Sequence, residues 1–161
     1  MGKINCLDLK GQHDQIKKEI FEAFEKVYEK TAFSGGPFVE EFEKSFASYT
    51  GSTYAVGVSN GTIALHLAML TLGIGAGDEV IIPANTFIAT AWGVSHAGAT
   101  PVFVDCNADT WEIDTTKIEA AITSKTKAVI GVHLYGQPFD VEALKLICDK
   151  HKIYLVEDAA Q

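Results

Sequence analysis

Hydrophobic positions recur along this chain in two rhythms, and the change near residue 54 divides it. Over residues 11–31, Ile16, Ile20 and Phe24 recur every four residues and Val27 follows at three. That spacing lines one side of an α-helix. "SGGP" at 34–37 interrupts the pattern with residues that punctuate helices. A second helix is expected after it, with Phe38, Phe42, Phe46 and Tyr49 on one side and an end near Gly51. Helical spacing assigns these aromatic stripes to core or interface packing rather than to a ligand.

From Tyr54 onward, short apolar runs alternate with longer helical stretches. "YAVGVS" precedes 61–72, "EVIIPA" precedes 87–97, "TPVFVD" precedes 115–123, "KAVIGVH" precedes 140–151, and "IYLVED" comes last. Continuous apolar strands separated by helices predict a parallel sheet covered on both faces. The expected fold is therefore α/β, a three-layer α/β/α arrangement around a mostly parallel sheet, with N-terminal helices over residues 1–52 and the sheet from 53 to 161. The stretch at 61–72 is apolar nearly all round, which predicts a buried helix.

Composition removes several possibilities. The 161 residues are 47% hydrophobic, enough for one sizeable core. No apolar run reaches the roughly 20 residues of a membrane helix. "MGKINCLDLK" lacks the apolar segment of a secretory leader. The three cysteines, Cys6, Cys106 and Cys148, are odd in number and widely spaced, which fits core fillers in a reducing cytoplasm. Net charge is -8 and every basic residue is Lys, so a nucleic-acid partner is not expected. Without Arg, no residue here forms a bidentate clamp on a carboxylate or diphosphate.

Ligands of open parallel sheets bind beyond the carboxyl ends of the strands. The residues expected there are "SNGT" (59–62), "PANTF" (83–87), Asp105, His133 and Asp158. Gly61 permits close backbone approach, and the helix after it offers free N–H groups and a positive dipole end, with the Thr62 hydroxyl added. The same stretch also reads as an ordinary turn with Thr62 as a helix cap. Asp105 and Asp158 each read as strand-end acids, a position where caps are common. Asp158 is followed by Ala159 and Ala160, small residues that let a flat ring lie close. A carboxylate there can hold a proton on a pyridine nitrogen. Phe87 offers a face for stacking. Cradle, ring and acid together describe a pyridoxal phosphate site. "GIGAG" at 73–77 follows a helix rather than a strand and lacks dinucleotide spacing, so it reads as a loop. The histidines have no metal spacing, and no metal is expected. His66 and His96 read as packing residues, His13 and His151 as exposed, and His133 as a candidate to line the site.

"SNGTIALHLAMLTLGIGAGDEVIIPANTFIAT", "GATPVFVD", "HLYGQP" and "VEDAAQ" resemble, in order and spacing, the DegT/DnrJ/StrS-type sugar aminotransferases of fold type I. The likeness extends to "LDLKGQ" and "FVEEFEKSF" near the N-terminus. It implies that Gly61 and Thr62 bind the phosphate of pyridoxal 5'-phosphate, that Phe87 stacks on the pyridine, that Asp158 pairs with the ring nitrogen, and that Gln161 bonds the 3-hydroxyl. It implies ping-pong transfer of an amino group from an amino acid, usually glutamate, to a nucleotide-linked keto-deoxysugar, by a homodimer whose sites are completed across the interface.

The family's Schiff-base lysine lies in an "S-F-x-x-x-K" context, and no lysine of this chain does. Residues 53–161 are thus expected to be the first part of the cofactor-binding large domain, inactive by themselves, with "YAVGVS" and "IYLVED" kept apart by two absent strands, about 14 Å. Two alternatives stay open: a sugar dehydratase of the same family, in which histidine replaces that lysine, and a non-catalytic binding or regulatory relative.

Overall fold

The computed structural model describes residues 8–161, so Cys6 lies outside the described residues. The chain divides into two units, one reaching to Gly57 and the other running over Val58–Gln161.

In the first unit, α1 spans Leu9–Glu29 and α2 spans Pro37–Thr50. Asp8 caps α1 by accepting from the Gly11 N–H at 3.0 Å. Pro37 opens α2, where its missing N–H costs nothing. Gly51, left-handed at φ 69°, ends α2 as expected. The aromatic stripes do not form a core within this unit. Phe24, Phe42, Phe46 and Tyr49 are exposed, and α1 has no buried residue.

The expected strand at 54–59 is not a strand. It forms no ladder, and the Gly57 N–H donates instead to the Glu43 carboxylate at 2.7 Å. Apolar alternation marks an extended segment, but a strand exists only with a hydrogen-bonded neighbour. Among the described residues it has no ladder partner.

The second unit holds α3 (Gly61–Thr71), β1 (Glu79–Pro83), α4 (Ala89–His96), β2 (Thr100–Val104), α5 (Thr115–Ala121), β3 (Thr126–Val132), α6 (Val141–His151) and β4 (Tyr154–Asp158). All four strands are parallel, in the order β2-β1-β3-β4. Alternation along the central strands feeds two cores. Val80, Ile82, Ala128 and Ile130 face α3 and α4, where Leu65, Met69, Ala91 and Val94 meet them. Ile81 and Val129 face the other way, onto Ile118 of α5 and Leu144 and Cys148 of α6. The architecture is the three-layer α/β/α sandwich expected.

Gly93 sets how closely α3 and α4 approach, since a Cβ there would lie 2.6 Å from the Leu65 Cβ. The helix α3 is nonetheless only half buried. Leu65 and Met69 are enclosed, but Leu67 and Leu70 are exposed, because sheet and α4 cover one side only. "GIGAG" is the loop expected. Gly73 is left-handed at φ 72°, the Ile74 N–H closes back on the Met69 carbonyl at 2.9 Å, and the chain then enters β1.

Candidate active site

The strand order changes direction at β1, with β2 to one side and β3 and β4 to the other. The chains leaving the carboxyl ends of β1 and β3 therefore diverge and leave a crevice, the general ligand position of open α/β sheets. A cavity of about 210 Å³ lies there, lined by Gly61, Thr62, Leu65, Phe87, Ala89, Val132, Asp158, Ala160 and Gln161. All five residues singled out from the sequence share this wall, although they come from the start of α3, the link from β1 to α4, and the end of β4.

Asn60, not Thr62, caps α3, accepting from the Ile63 N–H at 3.0 Å. Asn is the better placed residue, because an N-cap bonds the N–H two or three positions on. The Thr62 hydroxyl is therefore free of capping. The Ala64 N–H is the first to bond within the helix, to the Asn60 carbonyl at 3.0 Å. The Gly61 and Thr62 N–H groups have no protein acceptor among the described residues and stand at the positive end of the helix dipole. A Cβ at Gly61 would meet no protein atom within 4 Å, so packing does not require glycine there.

Phe87 is 67% exposed, so its ring is available to a ligand. At the end of β4, the Asp158 carbonyl accepts from the His133 N–H at 3.1 Å, which anchors its backbone to the neighbouring strand. Its carboxylate receives the Ala160 N–H at 3.3 Å on Oδ1 and the Thr90 hydroxyl at 2.9 Å on Oδ2. The Gln161 Oε1 accepts from the Tyr135 N–H, in a turn where Tyr135 is left-handed at φ 58°. With its oxygen committed, the Gln161 amide keeps its two N–H donors for whatever fills the cavity.

Two strand-end candidates stay out of the cavity. Asp105 is a surface acid held by Lys117 at 3.0 Å, and that ammonium keeps its carboxyl below the usual range. His133 stacks on Phe139 with centroids 4.7 Å apart and reaches Glu157 with Nε2 at 3.1 Å, so it does not line the wall. His96 is exposed yet contacts the rings of His66 and Trp92.

Sequence reading missed Thr90. Its only signal is the spacing T-F-x-x-T at 86–90, which puts two hydroxyls on one side of the turn carrying Phe87.

The donors fit a phosphorylated pyridine. Free N–H groups at a helix start suit a phosphate. A carboxylate with remaining lone pairs suits a ring N–H, an exposed aromatic face suits the ring, and an amide donor suits a phenolic oxygen.

The family model for the DegT/DnrJ/EryC1/StrS aminotransferases matches residues 14–161. The chain belongs to this family. Among the curated relatives, the pleiotropic regulatory protein of Geobacillus stearothermophilus is 45% identical over 98% of this chain and 42% of its own length. The dTDP-3-amino-3,6-dideoxy-alpha-D-galactopyranose transaminase of Aneurinibacillus thermoaerophilus is 46% identical over 98% of this chain and 44% of its own. The crystal structure of NtdA from Bacillus subtilis with bound cofactor PMP superposes with a TM-score of 0.95 at 37% identity, covering 100% of this chain and 37% of that one. The chain thus spans less than half the length of these relatives.

Proposed function

We propose that these residues form the cofactor-binding part of a pyridoxal phosphate-dependent aminotransferase. It moves an amino group from an amino acid, glutamate by the family's habit, to a nucleotide-linked keto-deoxysugar in amino-sugar or polysaccharide biosynthesis. The observation that carries this reading is the shared cavity: a free helix start, an exposed ring and a strand-end acid, brought together from distant sequence positions. The names of the transaminase and PMP-bound relatives support it.

In this reading the Gly61 and Thr62 N–H groups, with the Thr62 hydroxyl, hold the phosphate. Phe87 covers one face of the pyridine and helps exclude water. Asp158 accepts the ring N–H and keeps that proton in place. Gln161 donates to the 3-oxygen and orients the ring in its plane. When bound, the cofactor supplies the amino-group carrier and the electron sink for the transfer. No lysine lines the cavity among the described residues, so these residues account for binding and orientation.

Residues 53–161 are, on this proposal, the first part of the large domain, and 1–52 a helical segment whose exposed aromatic side serves a homodimer contact. A cytoplasmic location is part of the proposal; no helix among the described residues is long and apolar enough to cross a membrane.

The test is a titration of the full-length protein with pyridoxamine phosphate, followed by incubation with glutamate and a dTDP-linked keto-deoxysugar. Tight binding and an aminated sugar are expected. Binding with loss of water from the sugar favours the dehydratase, and binding without turnover favours a regulatory relative. Failure to bind refutes the reading.

A further inference from the structure

We propose that Thr90, backed by Thr86, is a positioning residue that fixes the Asp158 carboxylate toward the cavity; this rests on the cofactor reading above. Thr90 is wholly buried in the first turn of α4, and its hydroxyl reaches across to β4, 68 residues away, donating to Asp158 Oδ2 at 2.9 Å. A helical threonine ordinarily satisfies its hydroxyl on the carbonyl one turn back. Thr90 instead spends its proton on a carboxylate from another element.

The direction of the chain follows from counting protons. A hydroxyl carries one, and an ionised carboxylate carries none. The Thr90 proton goes to Asp158, so in the 2.9 Å contact between the Thr86 and Thr90 hydroxyls, Thr86 must be the donor. Two hydroxyls thus point the same way and end on Oδ2, while the Ala160 N–H holds Oδ1. With a donor on each oxygen, the carboxylate cannot turn about its terminal bond without losing both. Chained hydrogen bonds also polarise one another. The lone pairs left over serve a ring N–H in the cavity. The turn that presents Phe87 to the ring therefore also sets the acid meant for the ring nitrogen.

A purely structural role, in which Asp158 merely satisfies a buried hydroxyl, makes a different prediction. Thr90→Val keeps the shape and removes the donor, Thr90→Ser keeps the donor, and Thr86→Val removes only the outer one. The readout is the ring-nitrogen resonance of pyridoxamine phosphate labelled with ¹⁵N at that atom, bound to the full-length protein. We expect Thr90→Val to bind the cofactor within about tenfold of wild type, one net hydrogen bond's worth. Its ring-nitrogen signal should move from the protonated toward the unprotonated position. Thr90→Ser should keep the wild-type signal, and Thr86→Val should shift it in the same direction by less. An unchanged signal in Thr90→Val overturns the proposal. Should Thr90→Val not fold, an unchanged signal in Thr86→Val overturns it. Wild-type protein that binds no pyridoxamine phosphate instead refutes the cofactor reading itself.

Discussion

Gly61→Ala separates the needs of the fold from those of the ligand, because the two respond in opposite directions. In the fold, the added methyl meets no protein atom within 4 Å, and the backbone there is not left-handed. Alanine should therefore be accepted in the first turn of α3, and stability should rise by up to about 1 kcal/mol as the unfolded chain loses freedom. In the site, that empty space is where a phosphate would approach the Gly61 and Thr62 N–H groups. A hydrogen bond to a charged group contributes about 1.5–3 kcal/mol. Displacing the phosphate from one such donor should weaken pyridoxamine phosphate binding roughly ten- to a hundredfold. Urea denaturation and a fluorescence titration of the same full-length variant give both numbers. Unchanged affinity would place the phosphate elsewhere, and a stability loss above about 1 kcal/mol would mean that the fold, not the ligand, requires this glycine.

Other substitutions test other parts of the account. Asp158→Asn should leave the cofactor bound but slow transamination by about 10²-fold or more, since an amide cannot hold the ring proton; near-normal turnover at saturating cofactor would sink the role given to Asp158. Gly93→Ala forces a methyl to within 2.6 Å of the Leu65 Cβ and should cost about 1–3 kcal/mol in urea denaturation; wild-type stability would contradict the close helix contact. Burial pushes the Cys148 thiol up to about 11 from an ordinary 9.0, and it is 1% exposed, so alkylation at pH 8 should modify Cys148 only after unfolding. The same shift has a sign: the folded state keeps its proton where the unfolded state loses it. The Cys148→Ala difference in stability should thus be constant below pH 9 and change as pH rises toward 11, with wild type losing ground; a flat difference across that window would refute it.

The sequence carried most of the architecture because the sheet strands are short apolar runs and α3, α5 and α6 are each capped by the side chain before them. Asp114, Asp140 and Asn60 all cap the helices that follow them, and Gly51 and Gly73 stop helices through positive φ. The rule that ligands sit at strand carboxyl ends then pointed to Phe87 and Asp158. What failed was whatever depends on neighbours. Residues 54–59 look like a strand in pattern, but pairing is not written into a single segment. The apolar surround of α3 looked like burial, but Leu67 and Leu70 are left 41% and 49% exposed. His133 occupies a strand end yet turns onto Phe139, a choice of rotamer that no linear pattern encodes. Thr90 was hidden for the same reason, its partner being 68 positions away.

The most direct measurement of the central claim is the distance from the Asp158 carboxylate to the cofactor ring nitrogen in a crystal structure of the full-length protein with pyridoxamine phosphate. The account predicts a charge-assisted bond of about 2.7–2.9 Å, with the phosphate on the Gly61 and Thr62 N–H groups and the Phe87 ring against the pyridine. A ring nitrogen turned away from Asp158, or a phosphate bound elsewhere than the start of α3, would contradict it.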